Sequence, residues 1–136
     1  MAYEEILQTI TLPSSGDLSG VQYYLMRPTT DAPARIGATT ARGGFCLGVL
    51  QGNTTATGFS EKVAVYGVTK VAAGDTSGTE TAITPGLALI ASSVGRAVAS
   101  TIDIGTYVIG RALSILSTGT YGTISMLLTH QGMSSS

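Results

Sequence analysis

The chain has 136 residues, 43% of them hydrophobic and 11% charged, with a formal net charge of -1. This length suits one domain with a modest core, and the charged fraction lies well below the roughly 25% that is usual for globular proteins. The seven basic residues form no Lys/Arg cluster, so the chain lacks the positive patch that marks nucleic-acid and membrane-surface binding, and neither partner is expected.

The first 20 residues are predicted to form an N-terminal arm. No basic segment precedes an apolar run, so no signal peptide is expected and synthesis should occur in the cytoplasm. The letters YEEILQ could hold about a turn and a half of helix, whereas LQTITL is a polar strand candidate. We expect residues 2–11 to pair with a partner by strand addition, with Tyr3, Ile6 and Leu7 as anchors.

Residues 21–130 are predicted to form a single β domain, and residues 131–136 a disordered tail. Short strand patterns recur between Gly, Pro, Asn, Asp and Ser residues. They lie at 22–26, 45–50, 62–69, 87–91, 97–100, 107–113 and 123–129, with a possible short strand at 35–38. The pattern predicts an all-β fold, a small β-barrel or β-tulip-like sandwich of short antiparallel strands with an extended N-terminal arm.

The segment EKVAVYGVTKV shows alternation with one interruption. Val63 and Val65 are expected to share one face of the strand, and the apolar positions change phase after Gly67. A glycine at such a point indicates a bulge or a sharp bend.

Two glycine-arginine pairs recur fifteen residues apart, in GRAVAS and GRALSI. Gly95 is predicted to close a turn, whereas Gly110 lies inside a predicted strand and indicates a bend or a close backbone approach. Arg96 and Arg111 are each either a solvated strand-edge charge or a bidentate anchor for a carboxylate of a partner.

Several side chains are candidates for contacts with a protein partner or between subunits. Leu127 is a large apolar group on the polar face of the last strand. Adjacent strand residues face opposite sides, so of Tyr23 and Tyr24 one ring should be buried and the other exposed, and Tyr24 is taken as the interface candidate. Arg35 and Arg42 lie in a Pro/Gly/Thr-rich loop long enough to form an interaction surface.

Groups that could carry chemistry are scarce. With one histidine, His130, and one cysteine, Cys46, the chain cannot assemble the usual zinc sets, and it contains neither a G-x-S-x-G elbow nor a phosphate-binding glycine motif. Cys46 is interpreted as a small buried hydrophobe. No catalytic, cofactor-binding or metal-binding residue and no small-molecule substrate is predicted; a small hydrolase with His130 as its base is the weakest alternative.

Four segments then follow one another in a recognisable order from about residue 45 to residue 128. They are GFCLGVLQG, EKVAVYGVTKVAAG, AITPGLALIASSVGRAVAS and YVIGRALSILSTGTYGTISMLL. In this order the chain resembles the capsid cement, or decoration, proteins of tailed bacteriophages. It departs from that pattern in its N-terminal third, where the loop at 28–43 is longer and richer in Thr than is expected for this family.

The resemblance implies a non-enzymatic β-barrel or β-tulip-like subunit that forms a homotrimer on the outer capsid surface of the virion. Its partner is then the major capsid protein, and its role is to stabilise the expanded head. A second hypothesis is a β-rich head-fibre module or a receptor- or carbohydrate-binding adhesion module. The chain has no Trp, and its tyrosines are mostly isolated, which offers little for a sugar-binding aromatic platform.

Overall fold

A computed structural model gives the fold, and it describes residues 4–30, 35–53, 60–74, 81–100 and 106–133. These residues contain no helix, so the predicted all-β class is confirmed. Every predicted strand overlaps an observed one. The strands are β1 (Glu5–Pro13), β2 (Leu25–Pro28), β3 (Ile36–Ala38), β4 (Gly48–Leu50), β5 (Ser60–Gly74), β6 (Ala88–Ala91), β7 (Ala97–Ala99), β8 (Tyr107–Ala112) and β9 (Tyr121–Met133).

The predicted β-barrel is confirmed as a closed ring of five strands. Going around the ring, β5 pairs with β7, β7 with β6, β6 with β8, β8 with β9, and β9 returns to β5. The closing ladder is antiparallel and runs from Gly67↔Leu128 to Gly74↔Tyr121, whereas β5 and β7 meet in parallel at Ala73↔Ala97. Closure removes the free sheet edges from this half of the molecule.

The other strands are added to the N-terminal half of β5, which has 15 residues and is long enough to serve both halves. One edge pairs with β4, and the sheet continues through β2 to β3. The other edge pairs with β1, with Ile10 opposite Val63. Ser14, just after β1, forms a bridge with Ile36 of β3, which joins the two sides of this second sheet.

The N-terminal segment therefore differs from its prediction. Residues 5–13 form β1 and bond along one edge to β5 of the same chain, so their order does not depend on a partner. Residues 5–8 are therefore strand, where a helix had been considered. The predicted tail is also too long, because β9 continues to Met133; residues 134–136 lie outside the described residues. In the part of the chain that the structure describes, no helix has the length and apolarity to span a membrane.

The buried side chains form separate clusters on the two faces of β5. Ala64, Val71 and Ala73 belong to the core of the barrel, whereas Val63 is buried in the second cluster, with Val65 packed against it. Val63 and Val65 share a face as predicted. Even-numbered Ala64 and odd-numbered Val71 face the same core only because the alternation shifts by one residue between them.

That shift occurs at the predicted place. Gly67 has a φ of 105°, and the β1–β5 register is irregular between Ile6 and Thr9. A Cβ atom on Gly67 would lie 2.5 Å from the carbonyl oxygen of Glu5. The close approach predicted at Gly110 is confirmed as well, since a Cβ atom there would collide with the carbonyl oxygen of Leu127.

Candidate functional site: two interaction surfaces

The first candidate surface lies on the outside of the barrel, where three large apolar side chains from three strands are exposed. Leu7 in β1 is 67% exposed, Tyr66 in β5 is 56% exposed and Leu127 in β9 is 40% exposed. They line one groove of about 330 Å³, together with Gly67, Leu128 and Thr129. We call these three side chains, with Val68 and Arg111, the barrel-wall surface.

The irregular register between β1 and β5 explains why Leu7 is so exposed. Ile6 pairs with Gly67 and Gln8 pairs with Tyr66, so Leu7 has no partner residue in the ladder. An unpaired residue at a bulge is aimed away from the regular pleat. Two residues predicted as interface candidates, Leu7 and Leu127, are thereby brought to one groove, whereas the predicted anchor Ile6 packs instead against the core of the barrel.

Arg111 lies next to this groove. It is directly opposite Leu127 in the β8–β9 ladder, and Leu127 is directly opposite Val68 in the β5–β9 ladder. Residues paired in this way point to the same face of a sheet. The Nη1 atom of Arg111 donates a hydrogen bond of 3.1 Å to the carbonyl oxygen of Gly86, which ties the side chain to the barrel.

The second candidate surface is a groove of about 240 Å³ beside the predicted interaction loop. It is lined by Arg27, Pro28, Thr39, Thr40, Ala41, Gly44 and Phe45, and we call it the loop surface. Phe45 is 52% exposed. Arg42 lies within the turn that the Gly44 amide closes on the Ala41 carbonyl, 3.1 Å away. Arg35 borders the end of the β2–β3 ladder, where its carbonyl accepts a 2.7 Å bond from the Thr29 amide.

Hydrogen bonds to the barrel hold the loop surface in place. The amide of Gly43 donates to the carbonyl of Ala91, and the amide of Tyr107 donates to the carbonyl of Gly43, both at 2.8 Å. The ring of Phe45 meets that of Tyr107 edge to face, with centroids 5.0 Å apart. The Nε atom of Arg27 is buried and has no hydrogen-bond partner among the described residues.

Tyr24 and Arg96 pack in the interior of the protein, whereas the sequence suggested that both could be exposed. Tyr24 is half-buried against the second cluster, and Tyr23 is half-buried against the barrel core; their rings do serve opposite sides, but neither is exposed. Arg96 is only 8% exposed and donates to the Tyr24 hydroxyl and to carbonyls of its own chain. Both sequence-based alternatives for Arg96, a solvated charge and an anchor for a partner's carboxylate, are therefore wrong. Tyr3 lies outside the described residues.

Phe45 and Tyr66 were not among the candidate interface residues. Both could have been found from their neighbours, because a residue next to one that faces the core points outward in extended chain. Cys46 is fully buried beside Phe45. Tyr66 directly precedes Gly67, where the phase of the strand changes.

The reactive groups of the chain are engaged in the core. Burial raises the pKa of the Cys46 thiol to about 12, which keeps it protonated and unreactive near neutral pH. The Nε2 atom of His130 lies 2.9 Å from the carbonyl of Val65, and Nδ1 lies 3.0 Å from the Tyr107 hydroxyl. Within the described ranges, no three His, Cys, Asp or Glu side chains are grouped so that they could hold a metal ion.

Comparisons with known proteins give a likeness in fold. No family model matches the chain, and none of the curated proteins matches it. Among solved structures, the chain is similar to the N base of head fiber gp8.5 in bacteriophage phi29. The TM-score is 0.65 at 17% sequence identity, and the match covers 92% of this chain and 96% of the other. At this identity the likeness establishes a shared fold, along nearly the whole length of both chains.

Proposed function

We propose that the protein is a non-enzymatic structural component of a phage head, which binds the major capsid protein on the outer capsid surface as a homotrimer and stabilises the expanded head. The fold shared with a head-fiber base carries this proposal. A likeness over whole chains is informative about architecture, and function then has to be argued from surfaces. Two such surfaces are available on this barrel.

The character of these surfaces supports a role in protein contacts. The chain is only 11% charged, so its surface loses little solvation energy when it is covered. Protein interfaces are enriched in aromatic residues and Arg and depleted of other charged residues at their centre. The loop surface has this composition, since Phe45 and Arg27 line its groove and Arg42 lies in the turn beside it.

We assign the contact with the capsid to the loop surface. It is preformed by the bonds from Gly43 to Ala91 and Tyr107, so little conformational entropy is lost on docking. The positive charge of Arg27, which lines the groove, suits a carboxylate of the partner. A trimer that engages three capsid sites gains avidity well beyond that of one contact.

A head-fibre base is the second candidate, because the structurally similar chain comes from a head fiber. It shares the docking step with a cement protein and differs in its role once docked, since a fibre base displays further protein for receptor or carbohydrate binding. Glycan-array binding by the free chain would favour this second function. Saturable binding to heads without any glycan signal would favour cement.

The test is to add the purified chain to expanded heads that lack it and to measure occupancy against concentration. Phe45→Ala and the double variant Arg35→Gln/Arg42→Gln should each weaken binding about tenfold or more, as loss of an interface anchor does. Ile115→Ala is the matched control, because Ile115 is 70% exposed and lies outside the loop surface. Failure of the wild-type chain to bind heads would contradict the proposed function.

A further inference from the structure

Arg27 and Arg35 lie on the same face of the β2–β3 hairpin. Arg27 of β2 is opposite Gly37 of β3, and the Thr29 amide donates to the carbonyl of Arg35, which continues the ladder beyond the two strands. Residues two apart in a strand share a face, and so do residues paired across two strands. The two arginines are therefore diagonal neighbours, with Cβ atoms about 7 Å apart.

This face of the hairpin belongs to the loop surface. The opposite face holds Met26 and Ile36, which are fully buried in the second cluster. Arg27 lines the groove together with Thr39, and Thr39 follows Gly37 by two residues and shares its face. Both arginines are half-buried. The arginine pair and the groove therefore form one continuous surface.

The loop surface is basic. Three of the seven basic residues of the chain belong to this region, namely Arg27, Arg35 and Arg42, whereas residues 18–60 contain a single acid, Asp31. None of the described residues that line the groove is acidic. Because the charges on the two sides of an interface complement each other, this surface fits an acidic partner.

The groove itself is small and largely apolar. Phe45 is 52% exposed, and Pro28 and Ala41 line the groove with it. Pockets for small molecules usually measure about 300–1,000 Å³. A groove of about 240 Å³ therefore suits one apolar side chain of a polypeptide better than a free ligand.

We propose that the loop surface binds an acidic segment of a protein partner, whose carboxylates pair with Arg27 and Arg35 while one of its apolar side chains fills the groove beside Phe45. A guanidinium forms a two-bond fork with a carboxylate, which a lysine amine cannot form. The apolar contact supplies affinity, and the charges select the partner and its orientation. In the proposed function this partner is the major capsid protein, so the inference deepens that function and rests on it.

A nucleic acid fits this surface less well than an acidic protein segment does. Proteins that bind nucleic acids combine many basic side chains along the phosphate backbone. The loop surface has three, and the whole chain carries a formal net charge of -1.

The first test measures the occupancy of heads that lack the chain as the salt concentration rises. The affinity of the wild type should fall at least about tenfold between about 0.05 M and about 0.5 M salt, because salt screens ion pairs. Arg27→Glu and Arg35→Glu should each weaken binding more than about tenfold and reduce this salt dependence. Lys62→Glu is the matched control, since it makes the same change of charge at an exposed residue outside the loop surface, and it should bind like the wild type.

Thermal unfolding of each variant must stay close to that of the wild type. Arg35 lies at the end of the hairpin, so Arg35→Glu keeps the test decisive if Arg27→Glu fails to fold. Suppose that wild-type binding responds neither to salt nor to Arg35→Glu, while Phe45→Ala weakens it. That result would contradict the inference and leave the proposed function intact.

The second test identifies the acid of the partner. Arg35→Lys keeps the positive charge and supplies an amine, which a carbodiimide joins to a neighbouring carboxylate as an amide, whereas the guanidinium of the wild type does not react. After docking on heads, mass spectrometry should find a cross-link from position 35 to an Asp or Glu of the capsid protein. A cross-link from position 35 to another copy of this chain, or no cross-link beyond those of the wild type, would contradict the inference.

A third test needs no heads. The isotope-labelled full chain is titrated with the peptides EELEE, QQLQQ and KKLKK and followed by NMR. EELEE should shift the signals of Phe45 and of the Arg27 Nε group and bind at least about fivefold more tightly than QQLQQ, and KKLKK should not bind.

The outcomes of the peptide titration separate this inference from the proposed function. Equal behaviour of EELEE and QQLQQ would contradict the inference, as would tighter binding of a short oligothymidylate, which would identify a nucleic acid as the ligand. Selective binding of EELEE by a chain that binds no heads would support the inference and contradict the proposed function.

Discussion

Arg96 and Tyr24 form a hydrogen-bonded cation–π pair inside the protein. The Cζ atom of Arg96 lies 5.4 Å from the centroid of the Tyr24 ring, and Nη1 donates a 3.1 Å hydrogen bond to the Tyr24 hydroxyl. The ring of Tyr121 lies 5.3 Å from the same Cζ atom. A guanidinium tolerates burial when its donors are used and aromatic faces cover its planes.

The same guanidinium joins strands at one end of the barrel. It donates to the carbonyls of Ala73, Gly74 and Gly122. We expect Arg96→Met to lower the free energy of unfolding by about 3 kcal/mol or more, because the substitution leaves these buried carbonyls without a hydrogen-bond donor. Urea unfolding of dilute, monomeric protein measures this. Arg111→Met is the matched control and should cost less than about 1 kcal/mol; equal losses for both would contradict a special role for Arg96.

Gly67 should be intolerant of a side chain. Its φ of 105° and the Glu5 carbonyl, which would lie 2.5 Å from a Cβ atom, act together. Gly67→Ala should therefore destabilise the protein by about 2–4 kcal/mol and loosen β1 from β5. Amide hydrogen exchange across residues 5–13 reports the loosening.

Gly86→Ala is the control for Gly67→Ala. Gly86 also has a positive φ, 90°, but nothing lies within 4 Å of its Cβ position. Gly86→Ala should lower the free energy of unfolding by only about 1 kcal/mol, which is the penalty for placing a side chain at this backbone conformation. Protection of β1 that is the same in both variants would show that the approach of the Glu5 carbonyl is unimportant.

The local pattern of the sequence was enough to predict the strands, the irregularity at Gly67 and the close approach at Gly110. These features depend on alternation and on glycine chemistry within a few residues. The burial of Arg96 could not be predicted in this way, because Tyr24 is 72 residues distant from it in the chain and Gly122 is 26 residues distant. Only the tertiary fold, in which the second sheet packs beside the barrel, brings them together.

The candidate surfaces show the same difference between what the local sequence predicts and what only the fold determines. Leu7 and Leu127 were predicted separately, and the register of β1, β5 and β9 unites them in one groove. The pairing of β1 was predicted to be with a partner, since its polar sequence carries no information about which strand it joins. β5 of the same chain provides that strand, because β5 extends beyond the barrel.

Cys46 should make the free energy of unfolding decrease as the pH rises through the alkaline range. Burial raises the pKa of its thiol to about 12 from a usual value near 9, so above about pH 9 the unfolded chain releases a proton that the folded chain keeps. The unfolded state then binds fewer protons, and stability falls as the pH rises. The loss should approach about 1.4 kcal/mol per pH unit.

Urea unfolding of the wild type and of Cys46→Ala at about pH 8 and about pH 10 measures this effect. Burial, and secondarily the charge of Cys46, raises the pKa of Tyr107. The part due to burial is present in both proteins, so the difference between their pH dependences reports what Cys46 contributes, directly and through Tyr107. The wild type should lose more stability than the variant. Parallel losses, or rapid reaction of the native thiol with a disulfide reagent near neutral pH, would show that Cys46 is accessible.

His130 should stabilise the closure of the barrel and act together with Tyr107. With the Nε2 proton donated to the carbonyl of Val65, Nδ1 accepts the hydrogen bond from the Tyr107 hydroxyl. The register between β8 and β9 is irregular after Leu128, so these two bonds connect β5, β8 and β9 where the regular ladders stop. His130→Ala should cost about 2 kcal/mol and Tyr107→Phe about 1 kcal/mol. A double-mutant cycle in urea should give a coupling energy of about 1 kcal/mol, whereas strictly additive losses would mean that the hydroxyl and the imidazole stabilise the barrel independently.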